Sequence, residues 1–531
     1  MPDVLIGGRA GQGSAGHITL DAALANRHGL VAGATGTGKT VTLQVLAEEF
    51  SRMGVPVFTA DIKGDLSGIA AAGTPHPRID ERLNSLGIDD WQPHAAPVRL
   101  WDLHGKSGHA VRASVASMGP ELMASLLELN EAQGGLMHLA FDHAEREGLE
   151  LVDLKDLISL LKHIERERDS FEARYGSVSP QSLGAMLRRV HVLATQGGER
   201  FFAEPALDIH DMLATRGHAE QARGYINLLD GRELMQSPRL YTTFLLWFLS
   251  TLFRELPERG DADRPVLVFF FDEAHLLFDS APKALLTRLE QTVRLIRSKG
   301  VGVYFVTQSP ADIPDEVLGQ LGNRIQHALR AFTPRDQKAV KTAADTFRPN
   351  PELDTAQVIT ELGVGEALVS VLDANGTPTQ VERTLIAPPR GRIGPLSDAE
   401  RATLLADSSL AGRYDERVDR ESAHERLEAR LAAQAQASHA TNPREPDKTR
   451  PGEADRDPSQ RPSENVDSEE ARSEGAQATR PPAAARPSRD TGGGRKRQGV
   501  METLLKSVMR ALGSQLGRSL IRSLLRSFTR R

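Results

Sequence analysis

The sequence predicts an α/β protein built on a mainly parallel sheet, with a large α-helical insertion and a C-terminal region of different character. Three observations carry this. Short apolar runs such as His28–Ala32, Val55–Ala60, Pro265–Phe271 and Val301–Val306 end in glycine-rich or polar turns and alternate with helical patterns. Between about Gly105 and Gly260 the periodicity is almost wholly helical. Beyond about Leu396 large apolar residues become sparse.

The 531 residues, 39% hydrophobic and 26% charged, suffice for two to four structural units. A net charge of −6 gives no overall basic field, so any nucleic-acid binding must come from local patches. The absence of cysteine excludes disulfides, thiolate metal sites and cysteine nucleophiles. Neither a signal-peptide pattern nor a run of 18 apolar residues is present, and the expectation is a cytoplasmic protein.

Residues 1–104 form the first part of the predicted core. The run His28–Ala32 reads as a buried strand and Val41–Arg52 as a helix, with Leu43, Val45, Leu46 and Phe50 at helical spacing and Gly54 as its stop. Between them stands Gly33-Ala34-Thr35-Gly36-Thr37-Gly38-Lys39-Thr40, a GxxxxGK[ST] pattern in the strand–loop–helix context it requires. The glycines let backbone N–H groups turn inward around a polyphosphate, at a helix N-terminus whose dipole favours anions. Lys39 is expected to reach the outer phosphates and Thr40 to place its hydroxyl on Mg²⁺. A glycine turn that merely contains Lys-Thr is the plain alternative, and the flanking strand and helix disfavour it. The strand Val55–Ala60 then completes a βαβ unit and ends at Asp61-Ile62-Lys63-Gly64-Asp65-Leu66. Asp61 and Lys63 fall at its carboxyl end, where open α/β sheets collect ligands; they either touch a ligand or a neighbouring subunit, or form a capped turn.

Residues 105–260 read as the helical insertion, with Leu151–Ile164, Leu183–Leu193 and Leu240–Leu252 as helices and Gly224–Leu229 as a short strand returning to the sheet. Its histidines His138, His143, His163 and His191 have no metal-ligand spacing and read as structural or solvated.

Residues 261–390 complete the core. In Pro265-Val266-Leu267-Val268-Phe269-Phe270-Phe271-Asp272-Glu273-Ala274-His275 a central strand ends in two carboxylates. Asp272 is expected to hold Mg²⁺, directly or through water, and Glu273 to orient and deprotonate an attacking water. A helix from about Pro282 to Ser298 leads to the strand Val301–Val306, which ends at Thr307-Gln308-Ser309, so Gln308 is a candidate to sense a terminal phosphate or place the water. Asn323–Phe332 reads as a further strand, Pro334–Phe347 as a helix, and Glu366–Val371 with Thr379–Ile386 as a hairpin about Asn375-Gly376.

Composition divides the rest into a charged helical extension, 391–436, expected to be exposed; a linker, 437–495, expected to be disordered; and a basic amphipathic helix, 496–531. Between Leu431 and Val500 the only large apolar residue is Val466. From Leu504 to Phe528, apolar residues alternate with Lys506, Arg510, Arg518, Arg522, Arg526 and Arg530, with Gly513 and Gly517 placed to divide the helix. Such a helix suits an anionic membrane surface, a partner's acidic groove or nucleic acid.

With both nucleotide motifs in place, the chain resembles the HerA/FtsK superfamily of ATP-driven DNA motors, and more closely the bacterial HerA-like proteins of the YjgR type. The resemblance rests on Gly33–Thr40, Asp61–Leu66, Phe269–Phe278, Leu295–Gln308, Gly322–Asp336 and Gly365–Val369, within roughly residues 1–400. It implies a RecA-like P-loop NTPase core, ATP and Mg²⁺ as cofactors, and a hexameric head-to-tail ring with each ATP site at a subunit boundary. A neighbour's arginine then reaches the γ-phosphate. Arg297, in Ile296-Arg297-Ser298-Lys299-Gly300, is the first candidate and Arg324 the second; a structural ion pair is the alternative for each. The chain departs from the DNA motors in its short stretch before the phosphate loop, which leaves no room for HerA's β-barrel, and in lacking FtsK's winged DNA-reading module. Two readings follow: a ring motor translocating on double-stranded DNA, or a nucleotide-dependent scaffold or switch held at a membrane surface or protein partner by residues 500–531.

Overall fold

The computed structural model describes residues 3–440, apart from 219–220, 233–237, 261 and 281–282. The linker from 441 onward and the C-terminal basic helix lie outside the described residues.

Fourteen strands are described: β1 Asp3–Gly8, β2 His17–Asp21, β3 Gly29–Ala32, β4 Val57–Asp61, β5 Val98–Asp102, β6 His109–Ala110, β7 Thr215–Arg216, β8 Arg223–Gly224, β9 Ile226–Asp230, β10 Leu267–Phe271, β11 Val301–Thr307, β12 Asn323–Gln326, β13 Glu366–Ser370 and β14 Glu382–Ile386. All but β7 and β8 join one sheet in the order β2-β1-β14-β13-β12-β3-β11-β10-β4-β9-β5-β6. From β12 to β6 every pairing is parallel; β2, β1, β14 and β13 form an antiparallel flank. The predicted mainly parallel α/β sheet is therefore the observed one, and Gly224–Leu229 does return to it, as β9 between β4 and β5.

The central strands are buried on both faces, which explains their unbroken apolar runs. On β10 alternate residues serve different cores: Leu267, Phe269 and Phe271 face one cluster, Val268 and Phe270 the other. The first cluster is closed by the helices of the insertion and by Pro238–Glu255 and Lys283–Ile296; the second by the helix Lys39–Arg52 that follows the phosphate loop. At the first interface Phe58 lies 4.6 Å from Phe269 and 5.0 Å from Phe248, ring centre to ring centre.

Composition misjudged one segment. The charged stretch 391–436 contains two helices, Asp398–Ala406 and most of Ala423–Ala440, but it is anchored rather than free. Tyr414 is fully buried with its ring edge-on to Trp101 at 5.4 Å, and Leu410 and Leu427 are buried as well. The backbone N–H groups of Arg390 and Gly391 donate to the Glu48 carboxylate at 2.6 and 2.9 Å. A few well-placed apolar residues dock a segment whose mean composition is polar. The predicted strand Asn323–Phe332 also ends early, at Gln326, because the chain there turns across the phosphate loop.

His28 pins the amino end of the central strands. It is buried with φ +59°; its Nδ1 accepts the Val303 N–H at 3.0 Å and its Nε2–H donates to the Val293 carbonyl at 2.8 Å. Burial pushes its pKa down to about 4.

Two outcomes follow. Phe58→Ala leaves a cavity at the sheet–insertion interface and should cost roughly 3–5 kcal/mol, read as a lowered urea midpoint of tryptophan fluorescence. Because the unfolded chain binds a proton at position 28 near the ordinary pKa of 6.5 and the folded chain only near 4, stability should fall as pH drops through that window. The fall should be shallower in His28→Gln, measured as thermal midpoints between pH 7 and pH 5.

Candidate nucleotide-hydrolysing site

The site is set by which strands are neighbours. β11 runs between β3, which carries the phosphate loop, and β10, which carries the two carboxylates. The last carbonyls of β11 hold both: Gly33 N–H donates to Thr307 O at 3.2 Å and Ala274 N–H to Val306 O at 2.9 Å. Two strand spacings thus separate the loop from the acids by about 10 Å, a gap that suits a triphosphate and its cation.

The loop has the conformation its glycines permit. Gly36 and Gly38 have φ +81° and +116°, and a side chain on Gly38 would press on the Gly365 backbone at 3.2 Å. Thr37 Oγ1 donates to Ala34 O at 2.7 Å, Ala34 N–H to Ala328 O at 2.8 Å, and Gly365 N–H to Thr37 O at 3.0 Å. Lys39 is buried, its ammonium on the Gly33 and Ala34 carbonyls at 2.6 and 3.2 Å. Burial lowers its pKa, opposed by Glu273. Thr40 takes the second position of the following helix, and Thr35 stands exposed at the loop's crest.

Asp272 is 9% exposed, and burial together with the neighbouring Glu273 carboxylate pushes its pKa up to about 7. A carboxylate so short of positive charge, with the buried Tyr241 hydroxyl near it lacking a hydrogen-bond partner among the described residues, fits a bound cation. Mg²⁺ keeps several waters and takes only one or two carboxylates, so a single buried carboxylate suits it. Thr40 and Asp272 are the residues that would hold it.

Glu273 has φ +49°, a left-handed value that a residue with a side chain adopts at a cost of about 1–2 kcal/mol. Its carboxylate has three polar neighbours, two of which hold it. Lys63 forms an ion pair with Oε1; the Gln308 amide Nε2 donates to Oε2 at 3.3 Å; and His275 Nδ1 stands 3.2 Å from Oε2. Burial raises the Glu273 pKa, but Lys63, Gln308 and His275 outweigh it and hold the group below the ordinary glutamate value.

Glu273 and Gln308, predicted from separate strands, are therefore in contact. At the end of β4 the two open readings divide: Asp61 caps the turn, accepting N–H bonds from Asp65 and Leu66 at 3.0 and 3.2 Å, whereas Lys63 reaches the site. Neither candidate arginine is brought to its own subunit's phosphate loop. Arg297 precedes β11, at the opposite end of that strand from Gln308. Arg324 donates to the carbonyls of Leu318, Leu321 and Thr346, which makes it a clamp within its own chain.

Two histidines carry roles that sequence reading passed over. His275 was visible within Asp272-Glu273-Ala274-His275, and the fold sets its Nδ1 3.2 Å from the Glu273 carboxylate. His327 props the phosphate loop from beneath: Nδ1–H donates to Glu366 O and Nε2 accepts from the Thr42 hydroxyl, both at 2.8 Å. A Cβ on Gly33 would lie 2.5 Å from that of His327. Gly38→Ala should abolish binding of a fluorescent ATP analogue while circular dichroism stays unchanged, because φ +116° is closed to alanine.

Several known proteins are similar to this chain. A probable helicase of Methanocaldococcus jannaschii, MJ1565, is 25% identical over 366 residues, covering 66% of this chain and 61% of that relative's length. Among solved structures, the bacterial conjugative coupling protein TrwBdeltaN70 (unbound monoclinic form) matches 70% of this chain and 88% of its own, at 15% identity and a TM-score of 0.47. VirB4 of Thermoanaerobacter pseudethanolicus matches 72% and 96%, at 15% identity and a TM-score of 0.47. The sequence profile of the helicase HerA-like C-terminal family matches residues 9–531, and the chain belongs to that family.

Proposed function

We propose that this protein is the ATP-hydrolysing subunit of a HerA-like motor that closes head-to-tail into a ring and acts on double-stranded DNA. The observation that carries the hydrolytic part is Glu273, an ionised carboxylate held against Gln308 across one strand from a phosphate loop. The N–H groups of Gly33–Thr40 and the Lys39 ammonium bind the phosphates. Thr40 and Asp272 would hold Mg²⁺, which would neutralise charge developing on the phosphates. Glu273 accepts a proton from water as its oxygen bonds to the γ-phosphorus, and the bond to the ADP oxygen breaks. Gln308, whose amide donates to Glu273, orients that water.

The ring reading has its own support. Among the described residues, Phe332 (82% exposed) and Val364 (75%) are the most exposed large apolar side chains. Both lie on the segments that hydrogen-bond the phosphate loop, through Ala328 and Gly365. An apolar rim around a nucleotide site suits a subunit boundary there. Arg297, at the end of β11 away from its own loop, is then the candidate to act on a neighbour's nucleotide, an addition worth about 10³–10⁵ in rate in other phosphate-loop enzymes. The DNA part draws on family membership and on the naming of the archaeal relative as a probable helicase.

The test is ATPase rate with and without duplex DNA, for the intact chain and for one ending after residue 440, where the docked segment ends. The motor reading expects stimulation that weakens with salt. No stimulation in either form overturns it and leaves a scaffold or switch attached through residues 500–531. Glu273→Gln should bind ATP with near-normal affinity and turn it over at least about 100-fold more slowly.

A further inference from the structure

We propose that Lys63 is a positioning residue of the hydrolytic site, holding the Glu273 carboxylate where it meets the attacking water. The inference rests on the reading of Glu273 as general base.

β4 and β10 are adjacent and in register, Val57 with Val268, Phe58 with Phe269 and Thr59 with Phe270, so the loop after β4 rises beside Asp272 and Glu273. That loop is fixed by its own bonds. The Asp61 carboxylate takes the N–H groups of Asp65 and Leu66, the Asp61 carbonyl takes the Gly231 N–H at 3.0 Å, and Gly64 turns at φ +76° against the Arg232 side chain. Lys63 therefore leaves a rigid base, and its ammonium ends in an ion pair with Glu273 Oε1. The lysine is 40% exposed and the glutamate 5%, so the loop delivers a cation from solvent onto a carboxylate at the edge of the core.

The other carboxylate oxygen accepts from Gln308, and His275 Nδ1 lies 3.2 Å from it without a hydrogen bond. Without Lys63 the Oε1 oxygen has no charged partner, and the carboxylate is held only through Oε2, about which it can swing. A base that samples several orientations spends little time aligned with the water and the γ-phosphate. Lys39 is placed differently, with its ammonium on the phosphate-loop carbonyls, where phosphate oxygens would compete for it. The two lysines thus divide the work, Lys39 on the nucleotide and Lys63 on the base.

The experiment compares Lys63→Met, Lys63→Arg and the double variant Lys63→Met/Glu273→Gln in the full chain, by steady-state and single-turnover ATPase assays and by binding of a fluorescent ATP analogue. Lys63→Met should lower kcat roughly 10-fold or more, part of the 10²–10⁴ that a positioned base supplies, with KM and analogue affinity within about twofold. Lys63→Arg should recover part of the loss, because a guanidinium can also pair with the carboxylate. In the Glu273→Gln background the Lys63 change should add less than about twofold, since the lysine acts through that carboxylate. A kcat equal to or above that of the unaltered protein overturns the proposal. So does a full multiplicative loss in the double variant, or an affinity that falls in step with kcat, which would make Lys63 a phosphate ligand. Thermal midpoints separate these outcomes from misfolding. Normal turnover by Glu273→Gln alone would instead refute the base assignment, a distinct result.

Discussion

The structure depends on the position of β11 between β3 and β10. Its last two carbonyls bind the first amide of the phosphate loop and the amide just past the acid pair, and this fixes two otherwise unconnected pieces of chain at a set spacing. More than 230 residues separate Lys39 from Glu273, and neither local sequence nor any single helix could hold them in register. The parallel ladder does so because its strands end together at one edge of the sheet.

That ladder is stable because it is covered on both sides. Alternating residues on β10 and β11 feed two separate cores, one against the helical insertion and one against the helix after the phosphate loop. The insertion thereby supplies one wall of the sheet as well as its own interior, and the strand β9 it contributes lies inside the ladder. The docked segment around Tyr414 closes the far end, where Trp101 of β5 packs under it.

At the carboxyl edge, charge is arranged in pairs. Asp61, Asp230 and Asp102 end three adjacent strands in register. Asp61 and Asp102 are used as turn caps, while Arg232 and Ser107 hold Asp230 ionised, its pKa down at about 2 despite burial. Asp272 differs: among the described residues it accepts the Glu273 amide, and burial beside that second carboxylate raises its pKa. Glu273 differs again, with a cation, an amide and an imidazole around it.

The phosphate loop, the acid pair and the parallel α/β class were legible in the sequence because each is a local pattern: glycines at fixed offsets, adjacent carboxylates after an apolar run, strands alternating with helices. What the sequence left open was decided by contacts between distant segments. Asp61 and Lys63 are two residues apart and look alike as candidates, yet one caps a turn and the other crosses to Glu273, since only strand order puts β4 beside β10. Arg324 reads as a candidate to reach a neighbour's γ-phosphate or as a structural ion pair, and the fold instead surrounds it with three carbonyls of its own chain. The segment 391–436 reads as solvated because average composition hides single anchors such as Tyr414. The sequence by itself determined the phosphate-loop pattern at Gly33–Thr40 and the strand-end carboxylates Asp272 and Glu273. Tertiary structure alone decided which residues surround Glu273, because side-chain partners in a parallel sheet come from neighbouring strands, and strand adjacency is not written in the order of the chain.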